Sequence, residues 1–161
     1  MTRFTLPQQL KLVEALAPAA DAAGRSSDII NLKNAGKAFI VISLTQGNAA
    51  TVALTPMQAQ DVAGTGAKVL ANAVPIWSNL DTAASDTLVR RTDAVNYTTD
   101  AAVKNKQVIF EIDPALLDLN NGFDCIYVTT GASNAANITA GVFLLADLRY
   151  AQETPPSAII D

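Results

Sequence analysis

The stretch DVAGTGAKVL, Asp61 to Leu70, brings together two glycines, a threonine and a lysine, the residue types that cradle a phosphate. A phosphate-binding loop needs glycine immediately before the lysine, a second glycine five residues earlier, and Ser or Thr after the lysine to hold magnesium. Here Ala67 precedes Lys68, Val69 follows it, and Val62 stands where the earlier glycine belongs. The residues instead predict a glycine-shaped loop that leads into a strand.

Other candidate chemistry weakens in the same way. DLNNGFD, Asp118 to Asp124, is rich in oxygen ligands, but Phe123 falls at the sixth position and Thr129 at the twelfth, where a calcium loop needs glycine and glutamate. An Asn121-Gly122 turn accounts for the composition without a metal. The pairs Asp81/Asp86 and Glu111/Asp113 supply the carboxyls of a glycosidase, yet that work needs two carboxyls across a cleft with separated pKa values. Glu111 reads as the solvent side of a strand and Asp113 as a turn residue. Cys125 is the single cysteine and lies between apolar neighbours, as a small buried hydrophobe does. Histidine is absent, which removes the commonest general base and zinc ligand and every His-dependent triad. No catalytic, cofactor-binding or metal-binding residue is assigned, and no cofactor is expected.

Composition narrows the partners. A formal charge of −4 and a single adjacent basic pair, Arg90-Arg91, argue against nucleic acid, whose partners concentrate Lys and Arg. No apolar run reaches membrane-spanning length, and the N-terminus lacks the apolar core of a signal peptide. The expectation is a protein made in a cytoplasm, with no membrane or nucleic-acid partner. The sequons at Asn96 and Asn137 then carry little weight.

The elements that would position these residues are mostly strands. Leu6, Leu10, Val13 and Leu16 recur at helical spacing, with Pro7 suited to a first turn and Pro18 ending the run. They predict a short amphipathic helix or arm, the candidate partner-binding segment, within residues 1–24. A β-sandwich is expected over residues 25–151. KAFIVISLTQ and ATVALT, separated by Gly47-Asn48, are expected to form a hairpin; AVPIWSN, TLVRR, VNYTT, KQVIFEI, CIYVTT and AGVFLLADLRY supply further strands. In KQVIFEI, Val108, Phe110 and Ile112 point one way and Gln107 and Glu111 the other. DPALLDLNNG predicts one helical turn. Pro155-Pro156 makes residues 152–161 an extended tail, a second potential arm. Many short strands without a strand–helix rhythm predict an all-β, antiparallel, jelly-roll-like sandwich. Trp77 and Tyr97 fall in strand segments, where packing is the default use of an aromatic ring.

The runs QAQDVAGTGAKVLANAVPIWSNLDTAASDTLVR, VNYTTDAAVKNKQVIFEIDPALLDLNNGFDCIYVTTGAS and NITAGVFLLADLRYAQ carry a larger pattern. From about Asp28 to Gln152 the chain resembles a family of small tailed-bacteriophage structural proteins, the capsid decoration or cement proteins. The resemblance implies a jelly-roll sandwich that binds the capsid exterior at junctions of the major capsid protein. It also implies a homo-oligomer, dimer or trimer, located in the virion and made in the bacterial host cytoplasm. The family brings no catalytic residues to carry over. The alternative is a carbohydrate-binding β-sandwich, using an exposed Trp77 or Tyr97, or a tail or connector component of the same virion.

Overall fold

The computed structural model describes residues 5–161. A one-turn helix, Leu6–Gln9, precedes β1 (Lys11–Ala20), β2 (Arg25–Ser26), β3 (Ile30–Asn31), β4 (Ala35–Gln46), β5 (Ala53–Ala59) and β6 (Lys68–Val69). There follow β7 (Val74–Asn79), β8 (Val89–Ala94), β9 (Tyr97–Thr98) and β10 (Asn105–Ile112). Two 3-10 turns, Pro114–Leu116 and Leu119–Asn121, lead into β11 (Cys125–Thr130) and β12 (Asn137–Leu148).

The strands form two antiparallel sheets. One has the order β1-β12-β4-β10-β7-β8; the other runs β2-β11-β5-β6, with β3 also on β11 and β9 also on β5. The chain passes from the first sheet to the second after β4 and back after β11. The pair β4/β12 therefore continues across the sandwich as the pair β5/β11, the rolled antiparallel ribbon of a jelly roll. The all-β, jelly-roll-like sandwich expected from the sequence is the architecture found.

The core lies between the sheets. Ile40, Ile42, Val108, Phe110, Ile112, Phe143 and Leu145 of the first sheet meet Leu54, Ile126 and Val128 of the second, all buried. Val108, Phe110 and Ile112 share the inward side, as their alternation predicts. Pro56 lies inside β5 without breaking the ladder. On the side away from β11, β9 pairs only with Ala53 and Leu54 and β6 only with Met57 and Gln58, so the proline falls in the gap between them.

Three local expectations are corrected. The stripe Leu6, Leu10, Val13, Leu16 does not form one helix: the helix stops at Gln9, and Lys11–Ala20 is a strand on β12. Strand pairing satisfies this backbone and buries Ala15 and Leu16, whereas an isolated helix of about eleven residues is marginal in water. Register shifts on either side of Leu16 let those two consecutive residues both turn inward, and Pro18 is tolerated at the sheet edge. The sandwich accordingly begins at β1, ahead of residue 25. The predicted hairpin of KAFIVISLTQ with ATVALT is absent as well. β4 and β5 are consecutive but lie in different sheets, although Val52 and Leu54 do share a buried side.

The tail, residues 152–161, joins no strand and folds back on its own chain. The Asn31 amide donates to the Ala158 carbonyl at 2.7 Å, the Asn31 side chain donates to the Ile160 carbonyl at 2.7 Å, and Ala158 is buried.

Candidate interaction surface

The glycine loop is built for shape. Gly64 and Gly66 have φ of 89° and 65°, the left-handed region that favours glycine. The Asp61 carboxylate accepts the Thr65 amide at 3.0 Å, and hydrogen bonds from Thr65 hold its pKa below the ordinary carboxylate value. A second carboxylate of the protein's own meets the loop: the Val62 amide donates to Asp161 Oδ2 at 3.0 Å. Lys68 is engaged too, 2.5 Å from Asp118 Oδ2 and 4.1 Å above the centre of the Phe123 ring.

That contact also resolves DLNNGFD. Asp118 binds the Lys68 ammonium and the Asn121 side chain, both lowering its pKa, with Lys68 the larger effect. Gly122, at φ 77°, closes the second 3-10 turn. Among the described residues, no group of three or more Cys, Asp or Glu side chains is arranged to hold a metal.

Three of the four paired carboxyls are held by separate partners, and Asp86 lies on the exposed surface. Lys104 binds Asp81 and depresses its pKa, opposite to the shift a catalytic acid needs. Glu111 pairs with Lys37 at 2.6 Å, and Asp113 caps the first 3-10 turn by accepting the Ala115 amide at 2.9 Å. Cys125 is buried, and burial pushes its thiol pKa far above the reactive range. Asn137 of the second sequon is fully buried and hydrogen-bonded to Ala50 and Ser133. Among the described residues, no helix is long and apolar enough to cross a membrane.

The outer surface of the six-stranded sheet is different. Its registers line up one row across all six strands: Glu14, Val142, Val41, Ile109, Trp77 and Arg90. The adjacent row is Leu12, Leu144, Phe39 and Glu111. Seven of these ten outward side chains are apolar; Leu12 is 58% exposed and the other six are half-buried by their strand neighbours. Two shallow hollows open on the same surface near Val41, Ser43 and Ala140. Trp77 belongs to this patch, and the Arg90 guanidinium lies 5.3 Å from its ring centre.

The signal for this surface was present in the sequence. An antiparallel sheet with one solvated side alternates apolar and polar residues, whereas a sheet covered on both sides has continuous apolar runs. Phe39–Val41 in β4, Val108–Phe110 in β10 and Val142–Leu145 in β12 are continuous. Dividing KQVIFEI into an apolar and a polar set passes over Ile109, the residue that breaks the alternation.

Of the arm residues, Leu16 is buried and Val13 packs against the core, while Leu6 is exposed and Leu10 half-buried. The structure does not bring the four together. Tyr97 also packs against the core and offers no free platform.

No protein-family model matches the sequence, and neither does any curated protein. Among solved structures, the chain is similar to the SPBc2 prophage-derived protein YomS, with a TM-score of 0.49 and 7% identity over 85% of this chain and 93% of that one. It is also similar to a chain of the Triatoma virus empty capsid, with a TM-score of 0.41 and 10% identity over 96% of both chains. Likenesses at this level describe the path of the chain and carry no argument about activity or partners.

Proposed function

We propose that this protein is a non-enzymatic structural protein of a bacteriophage virion that binds the capsid exterior and stabilises it. The observation that carries the reading is the apolar outer surface of the six-stranded sheet. A contiguous apolar patch on a small soluble domain marks a surface that meets another macromolecule. The polar groups that could have done chemistry support the same reading, because Asp61, Lys68, Asp81, Glu111, Asp113 and Asp118 are each engaged within the fold. The resemblance of residues 28–152 to phage decoration proteins supplies the biological setting. Within this reading the N-terminal segment acts as an arm through Leu6 and Leu10, the members of the predicted stripe that its own core does not absorb.

Such a protein stabilises a shell by mass action, binding the assembled state and not its dissociated parts, and many modest contacts add up over a symmetric particle. The test is co-sedimentation of the purified protein with intact capsids of the phage that encodes it, followed by heating. Bound capsids are expected to rupture at a higher temperature than bare ones. Virions that contain no copy of the protein would refute the reading; copies confined to the tail would move it to a tail or connector component.

A further inference from the structure

We infer that the outer surface of the six-stranded sheet pairs with the same surface of a second copy, about a two-fold axis running parallel to the strands. The inference deepens the reading of this surface as an interface and does not depend on the capsid. Three observations favour a second copy as the occupant: the order of residues in the long row, the balance of charge, and the dimensions of the sheet.

The long row starts with an anion, Glu14 on β1, and ends with a cation, Arg90 on β8, with four apolar residues between them. A two-fold axis along the strands and through the sheet centre reverses the row. Glu14 then faces Arg90 of the second copy at both ends, Val142 faces Trp77, and Val41 faces Ile109. A two-fold axis across the strands would instead set Glu14 against Glu14 and Arg90 against Arg90. The row is self-complementary in only one of these two arrangements, as an isologous interface requires. Two further pairs lie within one chain: Glu111 with Lys37, and Arg90 itself with Asp93, both partners half-exposed, so Glu14 of the second copy would share a guanidinium that Asp93 already holds.

The dimensions agree. Six strands span about 24 Å, and the eight steps from Lys37 to Thr45 along β4 span about 27 Å. That is on the order of 650 Å² per copy, close to the roughly 800 Å² per partner of a standard interface. Two such sheets pack face to face about 10 Å apart with their strands within about 30° of parallel, which long Glu and Arg side chains can bridge at the rim.

Sedimentation of the full chain at micromolar concentration is expected to give twice the chain mass. Val41→Glu, at the centre of the row, is expected to give a monomer that keeps the wild-type circular dichroism spectrum and melting behaviour of a folded sandwich. Glu14→Arg and Arg90→Glu should each weaken the dimer by about tenfold by setting like charges together, and the double swap should recover most of that loss. A wild-type monomer or trimer overturns the pairing, as does a double swap no better than the worse single variant. A monomer whose capsid co-sedimentation is lost in Val41→Glu assigns the surface to the capsid instead. A monomer that still binds capsids overturns the pairing and leaves the capsid reading intact.

Discussion

The two ends of the sandwich are held together by different physics. At one end, where β4 finishes and β12 begins, polar groups are buried deep in the fold. Asp21 is fully buried and accepts from Thr130 Oγ1 at 2.9 Å and Thr139 Oγ1 at 2.6 Å, while Arg25 Nε lies 3.2 Å from its carboxylate. The Arg25 guanidinium continues to the carbonyls of Ala17, Ala19 and Thr139. One side-chain pair thus ties β1, β2, β11 and β12. Nearby, buried Lys106 donates to Gln46 Oε1 at 2.8 Å and Asp100 Oδ1 at 2.5 Å, and Thr99 donates to the same Gln46 oxygen. At the opposite end the ion pairs are more open to water: Lys68 to Asp118 and Lys33 to Asp161. Removing one member of a buried set leaves a desolvated charge or dipole, whereas an exposed pair is replaced by hydration. The first end is therefore expected to be stiff and intolerant of change, the second adaptable.

The comparison is most exposed at Asp21. Asp21→Ala removes the acceptor shared by Thr130, Thr139 and Arg25 and leaves part of a guanidinium without its counter-charge. Breaking a buried pair this way costs about 3–5 kcal/mol, a large part of the stability of a domain this size. Urea unfolding should show a loss of that order; a loss no larger than that of a surface substitution would mean the Arg25 cluster is not a structural node. Gly24, at φ 73°, lets the chain turn between the two partners, and a Cβ there would lie 2.7 Å from the Thr130 carbonyl oxygen. The clamp thus depends on the backbone as well as on its charges.

A smaller effect is expected at Asp100, whose side chain is 48% exposed although its partner Lys106 is buried. Lys106 first, and then the Ala102 amide, hold the Asp100 pKa below its ordinary 3.8. A carboxylate depressed in the folded state stabilises the fold above its unfolded value, and that contribution is lost as the pH falls through the folded one. Asp100→Asn should therefore melt earlier than the wild type at pH 7, with the gap closing as the pH drops below 3.8. A gap that stays constant from pH 7 to pH 3 would show that Lys106 does not hold the Asp100 carboxylate in its charged form.

The two regions were also unequally legible. Strands β7, β10, β11 and β12 were visible as β-branched runs, and CIYVTT coincides with β11. The N-terminal strand was not, because a bulge at Leu16 converts a β-strand into a pattern that imitates helical spacing. The buried polar end was hidden for a related reason. Asp21, Arg25, Thr130 and Thr139 are ordinary surface types that become a network only when the rolled ribbon brings positions more than a hundred residues apart together. The apolar surface was written in the runs of β4, β10 and β12, but its meaning emerges only once those strands are known to be neighbours.

The smallest effect belongs to Lys68, the residue that made the glycine loop look like a phosphate cradle. It has two partners, Asp118 and the Phe123 ring, yet 43% of its side chain is exposed, so water replaces much of what a substitution removes. Lys68→Ala is expected to leave unfolding by urea unchanged within error and to make its small effect on melting vanish in molar salt, where surface ion pairs are screened. A loss comparable to that of Asp21→Ala would erase the distinction between the two ends. It would also mean that Lys68 anchors the 3-10 turns from Pro114 to Asn121 as firmly as Arg25 anchors its strands. With the expected small loss, the loop is free to vary in sequence wherever Gly64 and Gly66 keep its turn, since the left-handed backbone at those positions shapes the corner and the lysine does not.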